Sequence, residues 1–338
     1  MRTARGEPAA SVRRVPWPGR AQARPIAEPE HDLLTTLDYN GVRWINIERP
    51  TDRTVAYLHA NFPFHDPDLE DVLDKLQQPK LDEYDDYLFL VVQFPVHRKA
   101  TRTTTASEVD IFVGRDYVIT IHDAALRPLG RLFDEAERDP AALAELLGRG
   151  ADRLLHRILD RLLDYCFPIV RRIDQHIEQI DEIIFEPNTL RSVQEIALVR
   201  RDVIITRRII KLQVGVITAL ESRVPAFFHR DDEDLEAYYG DLVDHVAKLS
   251  DLLDNAKEVV DALAATADSV ATHRLNEIIK VLTIFSVIML PLTLLSSIYG
   301  MNVPLPLQEH PLSFIMLLVA MGGLAAAMVA FFRWRRWL

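Results

Sequence analysis

The sequence predicts an α+β chain: an N-terminal α/β domain, then a bundle and stalk of long helices, then two C-terminal membrane spans. Three observations carry that prediction. Strand-forming runs alternate with short helical segments between about Leu33 and His122. Past Ala151, apolar residues recur at three- and four-residue steps for most of the remaining length. Two long uncharged apolar stretches lie near the C-terminus. With 338 residues, 49% hydrophobic and 26% charged, the chain is long enough for two domains.

Residues 1–30 hold six arginines, several prolines and few large apolar side chains. They cannot bury a core and read as a disordered tail. An Arg-rich, acid-poor start is also found in transit peptides. Glu7 and the prolines spoil the amphipathic helix such a peptide needs, and no apolar signal-peptide core occurs.

Residues 31–149 read as the α/β domain. Val42 to Ile47 and Tyr87 to Val92 are rich in strand formers, and Glu108 to Val113 and Tyr117 to Ile121 straddle a Gly-Arg-Asp turn. Thr51 to Asn61 and Asp66 to Leu76 read as helices, the second opened by Asp66-Pro67, an N-cap followed by proline at the first helical position.

Residues 150–230 read as an antiparallel helix pair. Ile173, Ile177, Ile180 and Ile184 step by four, three and four before Glu186-Pro187-Asn188-Thr189 breaks the helix, and Ile196, Val199, Val203, Thr206 and Ile210 resume the pattern until Pro225 ends it. Cys166, the single cysteine, sits in an apolar helical stretch. It excludes an internal disulfide and a multi-thiolate metal site, and reads as buried packing.

Residues 231–302 read as a stalk helix that runs into the first span, 281–299, and a polar loop. Leu242, Val246, Leu249, Leu253, Ala256, Val260, Leu263, Ala267 and Val270 keep four-three spacing toward the span, with no glycine or proline between Leu242 and Pro291. Such a helix is a rod of about 100 Å. The span itself is 19 residues, close to the 20 or so that a hydrocarbon core requires. A short external loop, 303–311, leads to the second span, 312–333, and a basic tail, 334–338.

Charge sets the orientation. Arg274 and Lys280 flank the first span and Arg333, Arg335 and Arg336 the second, whereas the connecting loop has Glu309 and no Lys or Arg. Both termini are therefore expected on the cytoplasmic side of a cell membrane. The net charge of −11 argues against nucleic acid as partner and is compatible with a cation as ligand. No Gly-rich phosphate loop and no catalytic constellation stands out, so the chain does not read as an enzyme.

A two-span subunit cannot enclose a hydrophilic path alone, because its lipid-facing positions must stay apolar. A pore must be shared between copies. Asn276, Ile279, Leu282, Ser286, Leu290, Thr293 and Ser297 fall on one face of the first span and its approach, ending at the Asn302 loop. In a symmetric ring, Asn276, Thr293 and Asn302 would present rings of oxygen, and Leu282 and Leu290 would form dewetting collars. The competing reading is that Ser and Thr bond their own backbone or a neighbouring helix.

Tyr299-Gly300-Met301-Asn302 at the end of the first of two C-terminal spans, the run Leu275 to Thr283 before it, and the basic Trp-Leu ending together resemble the CorA family of magnesium transporters. Phe64 to Leu73 followed by Gln78-Pro79-Lys80 resembles the soluble domain of the same family. The resemblance implies a funnel-shaped homopentamer with Gly300, Met301 and Asn302 at the selectivity entrance. Asn302 would hold the hydrated ion together with backbone oxygens of its loop. Mg²⁺ gives up water reluctantly, so amide oxygens can hold it through its hydration shell and still release it. This chain lacks the acidic loop of many relatives, which leaves Glu309 alone to concentrate cations outside.

The resemblance also implies that Mg²⁺, as regulator as well as cargo, closes the pore by binding between soluble domains. Asp71, with Glu70 beside it, matches one ligand and Asp241 another. A third position aligns with Ala265, for which Asp268 or Asp261 on the same helical face would substitute. The plainer alternative makes Glu70, Asp71 and Asp241 solvated helix charges. Two other functions stay open: a transporter of Zn²⁺, Co²⁺ or Ni²⁺ from the same superfamily, and a membrane-anchored coiled-coil scaffold that transports nothing.

Overall fold

The computed structural model describes residues 11–14, 33–73, 77–98, 102–184, 189–229, 233–301, 312–335 and 337. Among these residues seven strands are formed: β1 (Ser11–Arg14), β2 (Leu33–Tyr39), β3 (Val42–Glu48), β4 (Lys80–Glu83), β5 (Leu88–Arg98), β6 (Thr103–Val113) and β7 (Tyr117–His122). They make one sheet in the order β1-β2-β3-β7-β6-β5-β4. β3 and β7 pair in parallel, and the other neighbours are antiparallel. The β2–β3 hairpin turns on Asn40 and Gly41, both at positive φ (50° and 82°), which suits the twist of a two-residue turn.

Side-chain alternation gives the sheet two buried faces. Ile45, Ile47, Phe89, Phe112 and Ile121 pack under Leu58 of α1 (Asp52–Asn61) and Leu69 of α2 (Asp66–Asp71). On the other face Trp44 meets Phe133 of α3 (Arg127–Arg138) edge-on at 4.9 Å, and α4 (Pro140–Leu147) lies against β2 and β3. Burial of these aliphatic and aromatic groups is the main force holding the layers together.

Four longer helices follow: α5 (Ala151–Ile183), α6 (Thr189–Phe228), α7 (Glu233–Tyr299) and α8 (Ser313–Trp334). Ion pairs fix the directions of α6 and α7. Arg200 bonds Asp261 at 3.0 Å, and Arg207, seven residues further along α6, bonds Asp254, seven residues back on α7. The two therefore run antiparallel. α5 and the start of α7 run parallel, since Tyr239 Oη donates to the Asp152 carbonyl at 2.8 Å while His245 meets Phe167 further along both. Cys166 is fully buried, donates to the Leu162 carbonyl, and has its thiol pKa pushed up by burial.

The chain forms two compact units, Met1–Ile183 with Leu190–Leu263 and Ile184–Thr189 with Ala264–Leu338. The second holds α8 and the apolar part of α7, which among the described residues are the two helices long and apolar enough to cross a membrane. The predicted α+β class is thus the observed one.

Three local expectations differ. Ser11–Arg14, inside the segment read as a disordered tail, pairs with β2, because an edge strand gains its ladder from backbone groups and needs no large side chains. The helix expected over Asp66 to Leu76 stops at Asp71, where Leu73 N–H bonds the Glu70 carbonyl three residues back in a tightened last turn; residues 74–76 lie outside the described set. Pro225 does not end its helix but lies inside α6, where burial of Val224 and Phe227 on either side outweighs the one backbone bond that proline forfeits.

Candidate functional site

The apolar part of α7 has one covered face. Ile284 is 5% exposed, and Ile288, Pro291, Leu292 and Leu295, at helical spacing around it, are half-buried. Asn276, Ile279, Leu282, Ser286, Leu290, Thr293 and Ser297 are all exposed, Leu290 by 72%. At 3.6 residues per turn Leu282, Ser286 and Thr293 lie opposite Ile284. The face bearing oxygens and leucines is thus uncovered, as are Val281, Phe285, Met289 and Leu294 to its sides.

Two hydroxyls on that face donate to their own helix, Ser286 Oγ to the Leu282 carbonyl at 2.9 Å and Thr293 Oγ1 to the Met289 carbonyl at 2.8 Å. Donation uses the proton and leaves the oxygen's lone pairs free. Such an oxygen can still accept from the water shell of a cation. At the end of α7, Gly300 N–H bonds the Ser296 and Ser297 carbonyls, and a Cβ there would stand 3.3 Å from the Ser296 oxygen, so glycine permits this close turn. Met301 is 55% exposed, with its N–H on the Ile298 carbonyl. Asn302 lies outside the described residues, as does the loop to residue 311.

The acids named from sequence have separate surroundings. Asp71 is bound by Lys80 of β4, Nζ to Oδ2 at 2.7 Å, and the same ammonium reaches Asp82 at 2.8 Å. Burial alone would lower the pKa of Lys80. The hydrogen bonds to Asp71 and Asp82 outweigh that and hold it above the ordinary lysine value. Glu70 and Asp268 are exposed. Asp261 takes Lys257 at 2.8 Å and Arg200 at 3.0 Å, and the Lys257 hydrogen bond leads in holding its carboxyl below the usual range.

Asp241 stands in a cluster that sequence reading did not assemble. His245, one turn along α7, has Nε2 3.7 Å from Asp241 and Nδ1 3.9 Å from Asp160 of α5. Ligand atoms of Asp160, Asp241 and His245 lie within 4.8 Å of one another, close enough to hold one metal ion. Two carboxylates and an imidazole fit a divalent cation; the carboxylates suit Mg²⁺, and the imidazole adds affinity for Co²⁺, Ni²⁺ or Zn²⁺. The i, i+4 pairing of Asp241 with His245 was visible in the sequence. Asp160 carried no such signal, being one acid in an amphipathic helix.

Comparison with known proteins decides what this arrangement belongs to. Residues 39–336 match the family described as CorA-like Mg²⁺ transporter protein. The chain belongs to this family. It is 28% identical over 317 residues to YfjQ of Bacillus subtilis, covering 91% of this chain and 96% of that one. It is also 28% identical over 310 residues to the cobalt/magnesium transport protein CorA of Thermotoga maritima, covering 90% and 86%. The solved structure of the CorA magnesium transporter of Methanocaldococcus jannaschii matches all of both chains with a TM-score of 0.77 at 21% identity. The α/β domain, long helix and two C-terminal apolar helices are therefore the CorA architecture.

Proposed function

We propose that this CorA-family divalent cation transporter is a Mg²⁺ channel, built as a homopentameric ring in the cell membrane with both termini in the cytoplasm. The observation that carries the reading is the uncovered α7 face, where Ser286, Thr293 and Ser297 alternate with Leu282 and Leu290 opposite the covered side of the same helix. The hydroxyls of Ser286 and Thr293 are satisfied on their own helix, and their remaining lone pairs gain from a wet or protein-lined environment. Copies arranged around an axis supply one, with Gly300, Met301 and Asn302 at its outer mouth.

No ATP is needed for entry. The membrane potential contributes about 2.3 kcal/mol per charge for each 100 mV, and Mg²⁺ carries two charges. Closure by internal Mg²⁺ would use Asp71, Asp241 and Asp160, with Glu70, Asp261 and Asp268 as further acids at the ring's contacts. Metal between like-charged carboxylates relieves their repulsion and favours whichever state brings them together. His245 supports a second reading, in which Co²⁺ or Zn²⁺ is also recognised.

The test is uptake by purified protein in liposomes under an inside-negative potential, with Mg²⁺, Co²⁺ and Zn²⁺ compared. Potential-driven Mg²⁺ entry is expected. A scaffold would carry none of the three.

A further inference from the structure

A cavity of about 580 Å³ opens in the α/β domain where α2 ends over the sheet, and Glu108, Asp110, Ser107, Asp123, Arg49 and Arg98 are among its lining residues. Glu108 and Asp110 are two apart on β6 and so share one side of the sheet. Asp110, between Val91 of β5 and Ile121 of β7, is only 5% exposed. Its Oδ1 has no hydrogen-bond partner among the described residues.

The other acids of the cavity have partners. Glu108 accepts from Gln93 Nε2 at 3.2 Å, and Asp123 accepts from Ser107 Oγ at 2.7 Å. Asp110 Oδ1 is therefore the buried acceptor of this lining that is left without a hydrogen-bond partner among the described residues. A buried acceptor left unmade is costly, more so if charged, and such groups in native proteins call for a partner. Burial and then the neighbouring Glu108 and Asp71 raise the Asp110 pKa, and the charge of Lys80, which is held by Asp71 and Asp82, offsets them only in part. His122, also in the lining, does not supply positive charge: burial lowers its pKa to about 4, and its ring nitrogens are taken by Asn46 and the Ala124 N–H. Arg49 and Arg98 are exposed, where solvent screens their charge.

We propose that this cavity binds a cation that presents hydrogen-bond donors to Asp110, carried either by the water shell of Mg²⁺ or by a small protonated amine. Both sources offer the same chemistry, positive charge on donors, and the cavity has room for either. The site is separate from Asp160, Asp241 and His245 and does not depend on the channel reading.

Equilibrium dialysis of the full-length protein in detergent tests it, with radiolabelled Mn²⁺ as the Mg²⁺ probe and spermidine as the amine. The near-isosteric Asp110→Asn variant is expected to bind one equivalent per chain less of one probe than the wild type. An Asp160→Asn/Asp241→Asn variant, which alters only the separate cluster on α5 and α7, is expected to keep that equivalent. Ala106→Leu, which fills the cavity while leaving its acids in place, should lose it too and serves if Asp110→Asn misfolds. Loss of Mn²⁺ alone identifies a metal site, and loss of spermidine alone an amine site. Unchanged binding of both probes in folded variants overturns the proposal.

Discussion

Lys80 Nζ lies 2.7 Å from Asp71 Oδ2, so the aspartate matched to a regulatory metal ligand already has a cation beside it within its own chain. Lysine and metal compete for one carboxylate. Replacing Lys80 by Met should therefore strengthen inhibition by internal Mg²⁺. For a partly exposed pair the gain is about 1 kcal/mol, a roughly fivefold shift of the inhibition curve to lower Mg²⁺. Flux measured against internal Mg²⁺ checks this, and an unmoved curve would remove Asp71 from the sensor.

The cluster on α5 and α7 makes a second prediction. Asp160→Asn and Asp241→Asn should each raise the internal Mg²⁺ needed for closure, and the double variant should add little to either single one, because both remove ligands of one ion. His245→Ala should act more on inhibition by Co²⁺ than by Mg²⁺, since only the softer metal gains from imidazole. Equal effects on both metals would mean that His245 is not a ligand.

The collars give a third. Leu282→Ala or Leu290→Ala should raise leak at high internal Mg²⁺, because a wider and less apolar constriction no longer excludes water. Unaltered closed-state flux in both variants would place the gate elsewhere.

A fourth concerns the fold. His122 has its pKa lowered to about 4 by burial, against an ordinary value of 6.5. Between those values the unfolded chain binds the proton and the folded chain does not, so the contribution is full above pH 6.5 and is lost as pH falls toward 4. By pH 5 the loss is on the order of 2 kcal/mol. Thermal unfolding midpoints at pH 7 and pH 5 should differ more in the wild type than in a His122→Gln variant.

The sequence made much of this fold legible where one physical signal dominated. Leu88 to Val92 is apolar on both faces of the sheet and reads as strand without help, and the four-three steps from Leu242 to Val270 lie within α7 as observed. β2 was missed although Asn40-Gly41 announced a hairpin, because its Thr35, Thr36 and Asp38 dilute the apolar pattern. Pro225 misled because the local rule against proline takes no account of the packing of Val224 and Phe227 around it. Among the acids, sequence found Asp241 and Asp71 but not their partners. Asp160 and Lys80 reach them from other elements, and only the packing of α5 on α7 and of β4 beside α2 creates those pairs.

Passage of Mg²⁺ through a pore whose outer mouth is Asn302 is tested most directly by one comparison. Wild type and Asn302→Ala, each purified, shown to have the same oligomeric size and reconstituted in liposomes, are assayed for Mg²⁺ uptake driven by an inside-negative potential. Wild-type uptake with none in the variant is predicted, because the proposed ring of amide oxygens for the hydrated ion would be gone. Equal uptake by the two proteins would contradict it.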